Sequence, residues 1–140
     1  MDTEQNARPP VTAQVKLTLH TGERFFGPGI CELLERIRET GSIQAAAAEM
    51  AMSYTKAWRI LNRAEREMGV SLITRVSGGR NGGSSKLTEA GAQAVAVYRQ
   101  MAAQLAEVAD ALLKACGAPF MPEGAPSTER GADPVRNESL

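Results

Sequence analysis

Two serines eleven residues apart, Ser42 and Ser53, constrain the fold of this chain more than any other feature of the sequence. Each precedes a helix-forming segment, where a serine side chain accepts a hydrogen bond from the free N–H groups of a helix's first turn. We therefore expect helices to begin at Ile43 and Tyr54, and the second to end near Gly69. The spacing leaves room for one short helix and a tight turn. This is the layout of a helix-turn-helix, whose second helix enters the major groove of DNA.

The second predicted helix has two different faces when it is projected at about 100° per residue. Hydroxyl, amide and basic side chains fall within about 120° of arc: Thr55, Lys56, Arg59, Asn62, Arg63 and Arg66. Mostly apolar side chains lie opposite: Tyr54, Ala57, Leu61, Ala64 and Met68. Arginine pairs with guanine and asparagine with adenine through two hydrogen bonds, and lysine and hydroxyls suit phosphates. A solvated basic face is the alternative, and the preceding caps and turn favour groove recognition.

The total charge of the chain argues against a nucleic-acid partner, because sixteen Lys and Arg balance sixteen Asp and Glu. The distribution points the other way. Between Ser53 and Lys86, seven basic residues stand against two acidic ones, a net charge of +5, so the remainder carries −5. A protein polarised in this way can present one face to phosphates. A chance cluster of solvated charges is the alternative interpretation.

The segment before the helix-turn-helix predicts a strand hairpin. Apolar and polar residues alternate from Gln14 to His20, which indicates a half-buried strand, and Thr21 and Gly22 offer a turn into a return strand over residues 23–26. His20 is the only histidine, and we expect it to be exposed.

A helix is expected next, with Pro28 in its first turn and its end at Gly41. Its apolar residues recur at helical spacing and predict one stripe that faces the core: Ile30, Leu33, Leu34 and Ile37.

Three other residues have both a packing and a chemical interpretation. Cys31 and Cys116 have no CxxC spacing, so we expect neither a disulfide nor a zinc site, and both are predicted to be small core residues in a reducing compartment. Trp58 is predicted to pack in the core, with base stacking as the alternative.

The sequence shows no secretory signal and no apolar run of the ~18 residues that span a bilayer. We therefore expect a cytoplasmic protein without a membrane partner.

A basic hairpin is predicted directly after the second helix. Residues 71–76 are rich in β-branched side chains, residues 77–84 are rich in glycine and serine, and residues 85–88 resume a strand pattern. Arg75, Arg80 and Lys86 give this hairpin positive charge. A basic hairpin in this position is the wing of a winged helix.

A long helix is expected after Thr88, which is placed to cap it. Apolar residues recur at intervals of three and four over almost three heptads: Val95, Tyr98, Ala102, Leu105, Ala109 and Leu112. A helix of about 27 residues spans roughly 40 Å, which is longer than one small domain needs. We therefore expect these residues to pack against a second copy of the chain. A helix buried wholly on its own domain is the alternative.

These motifs resemble the N-terminal DNA-binding domain of the ModE-type molybdate-responsive transcription regulators. The similarity covers about residues 14–115 and rests on GSIQAAAAEMAMSYTKAW, GGRNGG and KLTEAG, which begin at residues 41, 78 and 86. GSIQAAA and LTEAG are also similar to LysR-type regulators. The resemblance implies a winged helix that dimerises through its first and last helices and binds a palindromic operator. Full-length members carry molybdate-binding domains after the long helix, whereas 25 residues follow Ala115 here, so we expect no small-molecule or oxyanion effector on this chain.

The expected fold is mainly α with a small β component. It is a winged helix-turn-helix over residues 14–88, with an N-terminal strand or hairpin and a long dimerisation helix over residues 89–116. Residues 1–13 are expected to form a disordered arm and residues 117–140 a disordered tail.

The expected function is that of a sequence-specific transcriptional regulator that acts as a homodimer on a palindromic operator in double-stranded DNA. A link to molybdate metabolism follows from the resemblance alone. The alternative is a protein-interaction module that keeps the winged-helix fold and dimerises with or modulates another regulator. We expect no enzyme, no metal and no cofactor, because no nucleophile lies near a base in the sequence pattern. The predicted DNA contacts are Gln44, Ser53, Tyr54, Thr55, Lys56, Arg59, Arg63, Arg75, Arg80 and Lys86.

Overall fold

The computed structural model describes residues 8–76 and 83–121. The elements in chain order are β1 (Leu19–Thr21), β2 (Glu23–Phe26), α1 (Pro28–Thr40), α2 (Ile43–Glu49), α3 (Tyr54–Met68), β3 (Ile73–Val76), β4 (Ser84–Leu87), α4 (Glu89–Cys116) and a short 3-10 helix (Ala118–Phe120). Strands β1 and β2 form one antiparallel pair, and β3 and β4 form another. The predicted fold class, a mainly helical winged helix-turn-helix with a long C-terminal helix, is confirmed.

The chain divides into two compact units. One is Lys16–Ala103, which contains the winged helix-turn-helix, and the other combines Met1–Val15 with Gln104–Leu140. In the second unit the structure describes residues 8–15 and 104–121, which include the last turns of α4 and the 3-10 helix. None of the helices in the described ranges is long and apolar enough to cross a membrane.

Both predicted serine caps are present. The Ser42 hydroxyl accepts a hydrogen bond from the Ala45 amide, and the Ser53 hydroxyl accepts one from the Lys56 amide, each at 3.1 Å. Between the two helices, Ala51 adopts a left-handed conformation with φ of 54°, which forms part of the turn from α2 to α3. The two caps and this turn define the helix-turn-helix.

The core is built on the predicted apolar stripe of α1, whose four residues are buried together with Cys31. Small buried residues of α2 and α3 allow these two helices to approach closely: Ala46, Ala47, Ala57 and Ala64. Leu61 of α3 and Leu72, just before β3, are fully buried as well. The first half of α4 closes this core with Val95 and Tyr98.

The N-terminal strand is shorter than predicted. A strand was expected from residue 14, whereas β1 begins at Leu19, with a register irregularity between Leu19 and His20. The prediction is wrong because β2 has only four residues and offers no partner to the residues before Leu19. The Leu17 carbonyl instead accepts a hydrogen bond from the Tyr98 hydroxyl at 3.0 Å. His20 is exposed, as expected.

The predicted wing hairpin is confirmed, with a continuous register from Ile73 opposite Leu87 to Val76 opposite Ser84. Its tip, residues 77–82, lies outside the described residues. The Ser85 amide donates to the Gly41 carbonyl at 2.7 Å, which joins β4 to the connection between α1 and α2.

The long helix α4 begins after Thr88, whose hydroxyl accepts a hydrogen bond from the Gly91 amide at 3.0 Å, as the predicted cap requires. Its buried residues, Gly91, Val95 and Tyr98, all lie in its first turns. Cys116 is exposed at the helix end, so its predicted burial is wrong, whereas Cys31 is buried as predicted.

Residues 118–120 form a 3-10 helix in a stretch that was expected to be disordered. The rest of the expected tail, residues 122–140, and the first seven residues of the expected arm lie outside the described residues.

Candidate nucleic-acid interface

The polar face predicted for α3 is exposed. Thr55, Lys56, Arg59, Asn62, Arg63 and Arg66 are all accessible to solvent, whereas Ala57, Leu61 and Ala64 are buried. The helix therefore presents its hydroxyl, amide and basic groups outward from a small apolar contact with the core. A shallow depression runs along this face, lined by Thr55, Trp58, Arg59, Asn62, Arg63 and Arg66.

The positive charge of this face is weakly compensated. Arg63 approaches the Glu23 carboxylate at 3.8 Å and Arg66 approaches the Glu67 carboxylate at 3.8 Å, both too long for hydrogen bonds. Lys56 and Arg59 form no ion pair with any residue that the structure describes. A partner with negative charge would meet at least two unpaired cations here.

Two aromatic side chains of α3 hold an arginine of the wing. The guanidinium carbon of Arg75, on β3, lies 3.8 Å from the centroid of the Trp58 ring. The same guanidinium donates to the Tyr54 hydroxyl at 2.9 Å, and the Tyr54 and Trp58 rings meet edge to face. Contacts with Trp58 and Arg75 lower the pKa of the Tyr54 hydroxyl. This aromatic cluster, Tyr54, Trp58 and Arg75, fixes a cation of the wing beside the exposed face of α3.

The structure shows the surroundings of these two aromatic residues. Tyr54, which the projection places with the mostly apolar side chains, is 47% exposed, so it is accessible for the predicted contact with DNA. Tyr54 is the first residue of α3, and the first buried position of the helix is Ala57. Trp58 is half-buried and packs against the core, as predicted, and its ring also contacts Arg75, which helical projection alone cannot show.

The other predicted DNA contacts are more dispersed. Gln44 on α2 and Lys86 on β4 are exposed. The Ser53 hydroxyl accepts the capping hydrogen bond from Lys56, which leaves its own O–H free to donate to a phosphate. Arg80 lies outside the described residues.

The structure adds two cations that the sequence did not single out. Lys16 and Arg24 line a groove between the N-terminal hairpin and α3, together with Arg59 and Arg63. Their charges are visible in the sequence, but nothing in the local pattern places the hairpin beside α3.

The residues predicted to contact a second copy fall into two groups. Val95 and Tyr98 lie in the core of this chain, each 3% exposed. Ala102 and Ala109 are partly exposed, and Leu105 and Leu112 are exposed. The structure exposes three further large apolar residues of α4: Val97, Met101 and Val108.

Comparison with known proteins identifies the type of this domain. Residues 31–92 match the family described as bacterial regulatory helix-turn-helix protein, lysR family. The chain carries a lysR-type helix-turn-helix domain. The matched region extends from α1 to the first residues of α4, so this lysR-type domain contains α2, α3 and the wing.

The chain is also similar to proteins with names that concern molybdenum. The molybdenum transport protein ModE of Herbaspirillum seropedicae is 36% identical over 91 residues, which are 65% of this chain and 32% of that protein. The molybdenum-pterin-binding protein MopB of Rhodobacter capsulatus is 35% identical over 88 residues, 63% of this chain and 32% of that protein.

The DNA-binding transcriptional dual regulator ModE of Escherichia coli K12 is 32% identical over 91 residues, 64% of this chain and 35% of that protein. The chain thus spans about a third of the length of these relatives. The resemblance to ModE-type regulators that the motifs predicted is confirmed over this shared part.

Proposed function

We propose that this chain is a transcription regulator that binds double-stranded DNA in a sequence-specific manner. The observation that carries the proposal is the exposed, weakly compensated basic face of α3 in a lysR-type helix-turn-helix domain. Helix α3 would enter the major groove, where Arg59 and Arg63 can read base edges. Ser53, Thr55 and Lys56 would contact the backbone or base edges near the start of the helix.

The wing and α2 would hold the protein on the duplex. Arg75 and Lys86 are exposed on the hairpin and would contact phosphates, and Gln44 would do the same from α2. Tyr54 would lie near the backbone through its contact with Arg75. Such contacts set the orientation of the protein and carry no sequence information themselves.

The chain would act as a homodimer. Five apolar residues of α4, between 37% and 57% exposed, recur at intervals of three and four along the helix: Val97, Met101, Leu105, Val108 and Leu112. An exposed apolar row with this period is covered when the helix packs against a second helix. Two copies related by a twofold axis would place their α3 helices in successive major grooves, about 34 Å apart, and would require a palindromic operator.

The regulated genes would concern molybdenum. This part of the proposal is supported by the names of the relatives, two of which refer to molybdenum directly.

The first experiment is selection of bound sequences from a random duplex pool with the purified protein, which should yield a palindrome. Arg59→Ala is then expected to lower the affinity for the selected duplex by about 1–3 kcal/mol, or about 5- to 150-fold, with a much smaller loss on a scrambled duplex. Lys86→Ala should weaken binding to both duplexes similarly.

Two outcomes would contradict the proposal at different levels. Equal losses on both duplexes for Arg59→Ala would remove this residue from the base-reading set. Absence of any duplex binding at low salt would refute DNA binding and favour the protein-interaction module.

The dimer is tested separately by analytical ultracentrifugation. The double variant Val108→Glu and Leu112→Glu should be monomeric, whereas Val70→Glu, at an exposed apolar residue outside α4, should keep the assembly of the unmodified chain. A monomeric unmodified chain would refute the homodimer.

A further inference from the structure

We propose that the groove between the N-terminal hairpin and α3 binds a phosphate of the DNA backbone, on the same duplex that α3 contacts. The groove has a volume of about 650 Å³, and four basic residues line it: Lys16, Arg24, Arg59 and Arg63. Glu23 is the only carboxylate in its lining. The inference rests on the proposed function and extends the interface beyond the matched helix-turn-helix domain, because Lys16 and Arg24 precede residue 31.

The hairpin that forms one wall of the groove is attached to α3. The Thr21 hydroxyl donates to the Glu67 carboxylate at 2.7 Å, near the end of α3. Buried Phe26 of β2 belongs to the core, and half-buried Phe25 packs against that core. Arg24, between these contacts on β2, is therefore carried by a strand whose position relative to α3 is fixed.

The charge of the groove favours an anionic ligand. Lys16, Arg24 and Arg59 form no ion pair with any residue in the described ranges. Arg63 approaches Glu23 only at 3.8 Å, and the Glu23 side chain is 83% exposed, so water competes for this contact. Four cations against one exposed carboxylate leave a net charge of +3, and their mutual repulsion is relieved when an anion enters.

The groove is continuous with the proposed DNA interface. Arg59 and Arg63 line both this groove and the depression along the exposed face of α3. A duplex bound to α3 would therefore bring a backbone phosphate to this groove, which already contains two of the residues that contact the duplex. A free oxyanion has the same tetrahedral chemistry, and this continuity is the reason to assign the site to a DNA phosphate diester.

The test compares two double variants that each remove two positive charges. Lys16→Gln with Arg24→Gln alters the groove, whereas Arg38→Gln with Lys114→Gln alters exposed cations that line neither concavity. Duplex affinity is measured against salt concentration for both variants and the unmodified chain, after circular dichroism has shown that all three are folded.

The groove variant should lower the slope of log affinity against log salt by about 0.9 for each phosphate that the protein no longer neutralises. For the one phosphate proposed, the affinity deficit of the variant is about 3.5-fold larger at 50 mM than at 200 mM salt. The deficit should be the same on specific and scrambled duplexes, because phosphates carry no sequence information. The control variant should keep the slope of the unmodified chain.

Two results would overturn the inference and leave the proposed function intact. One is steep salt dependence in the unmodified chain with an unchanged slope in the groove variant. The other is saturable binding of sulfate that the groove variant abolishes while duplex binding is unaffected, which would assign the groove to a free anion. If the unmodified chain binds no duplex at all, the proposed function fails first.

Discussion

Replacing Gly91 by alanine is expected to destabilise this protein by about 2–3 kcal/mol. Gly91 lies in the first turn of α4, and a β-carbon added there would lie 2.2 Å from the Leu72 carbonyl oxygen and 3.1 Å from its carbon. Nonbonded heavy atoms prefer about 3.5 Å or more, so the two backbones would have to separate by about 1 Å. Leu72 cannot move freely, because its side chain is fully buried and its carbonyl accepts a hydrogen bond from the Thr88 amide at 2.9 Å.

The magnitude follows from three contributions. Overpacking in a dense core costs about 1–3 kcal/mol, and a backbone contact this short lies at the upper end of that range. Weakening of the bond between Thr88 and Leu72 costs about 0.5–1.5 kcal/mol. The better helix propensity of alanine offsets up to about 1 kcal/mol.

Urea unfolding followed by circular dichroism measures this loss, with all proteins at one concentration because assembly shifts apparent stability. The midpoint should fall while the slope stays unchanged. Gly29→Ala is the matched control: Gly29 lies in the first turn of α1, and outside its chain neighbours and its own helix no atom lies within 4 Å of the added carbon, so this variant should be slightly stabilised. Equal midpoints for the two variants would refute the close approach of α4 to Leu72.

Three further predictions concern the cap, the aromatic cluster and one ion pair. Ser53→Ala should cost about 1 kcal/mol in urea unfolding, because α3 loses its capping acceptor, and Ser53→Asp should recover most of it. Arg75→Ala should lower duplex affinity, and Arg75→Lys should restore only part of it, because lysine lacks the planar group that contacts Trp58. The Arg99 guanidinium holds the pKa of Glu35 below its ordinary value of 4.5. The ion pair between Glu35 and Arg99 therefore stabilises the fold above pH 4.5, and this stabilisation is lost as the pH falls further. Glu35→Gln lacks this contribution, so its Tm should fall less than the Tm of the unmodified chain between about pH 5 and pH 3.

Each of these predictions has a contradicting outcome. An unfolding midpoint of Ser53→Ala within error of the unmodified chain would show that the cap is dispensable. Full recovery of duplex affinity by Arg75→Lys would show that charge alone matters at this position. Parallel melting profiles against pH would exclude a contribution from Glu35.

The features predicted correctly depend on residues close together in sequence. Ser42, Ser53 and Thr88 each bond to an amide three residues later, and Pro28 lies in the first turn of its own helix. Each of these interactions involves only residues within one helical turn. The positions at which these helices begin can therefore be predicted from the amino-acid sequence alone. The apolar stripe of α1 was predictable for the same reason, because helical spacing alone defines it.

The features that the sequence alone could not place depend on distant residues. The Tyr54 hydroxyl accepts a hydrogen bond from Arg75, 21 positions away, and helical projection cannot show this contact. Tyr98 is buried because its hydroxyl bonds to Leu17 and its ring meets Phe26, with centroids 5.4 Å apart. The heptad period predicted an apolar row on α4, but it could not show that its first members, Val95 and Tyr98, would be covered by the chain's own core.

The basic face of α3 is compatible with zero net charge because of where the carboxylates of this helix point. Glu65 accepts a hydrogen bond from the Leu72 amide at 2.7 Å, and Glu67 accepts one from the Thr21 hydroxyl at 2.7 Å. Both carboxylates therefore bind neutral donors that attach the wing and the N-terminal hairpin to α3. Tight ion pairs form elsewhere, as where Arg36 bonds to Glu49 at 2.7 Å. The same contacts that position the two hairpins thus leave the cations of α3 available to an anionic partner, and total charge alone cannot indicate this.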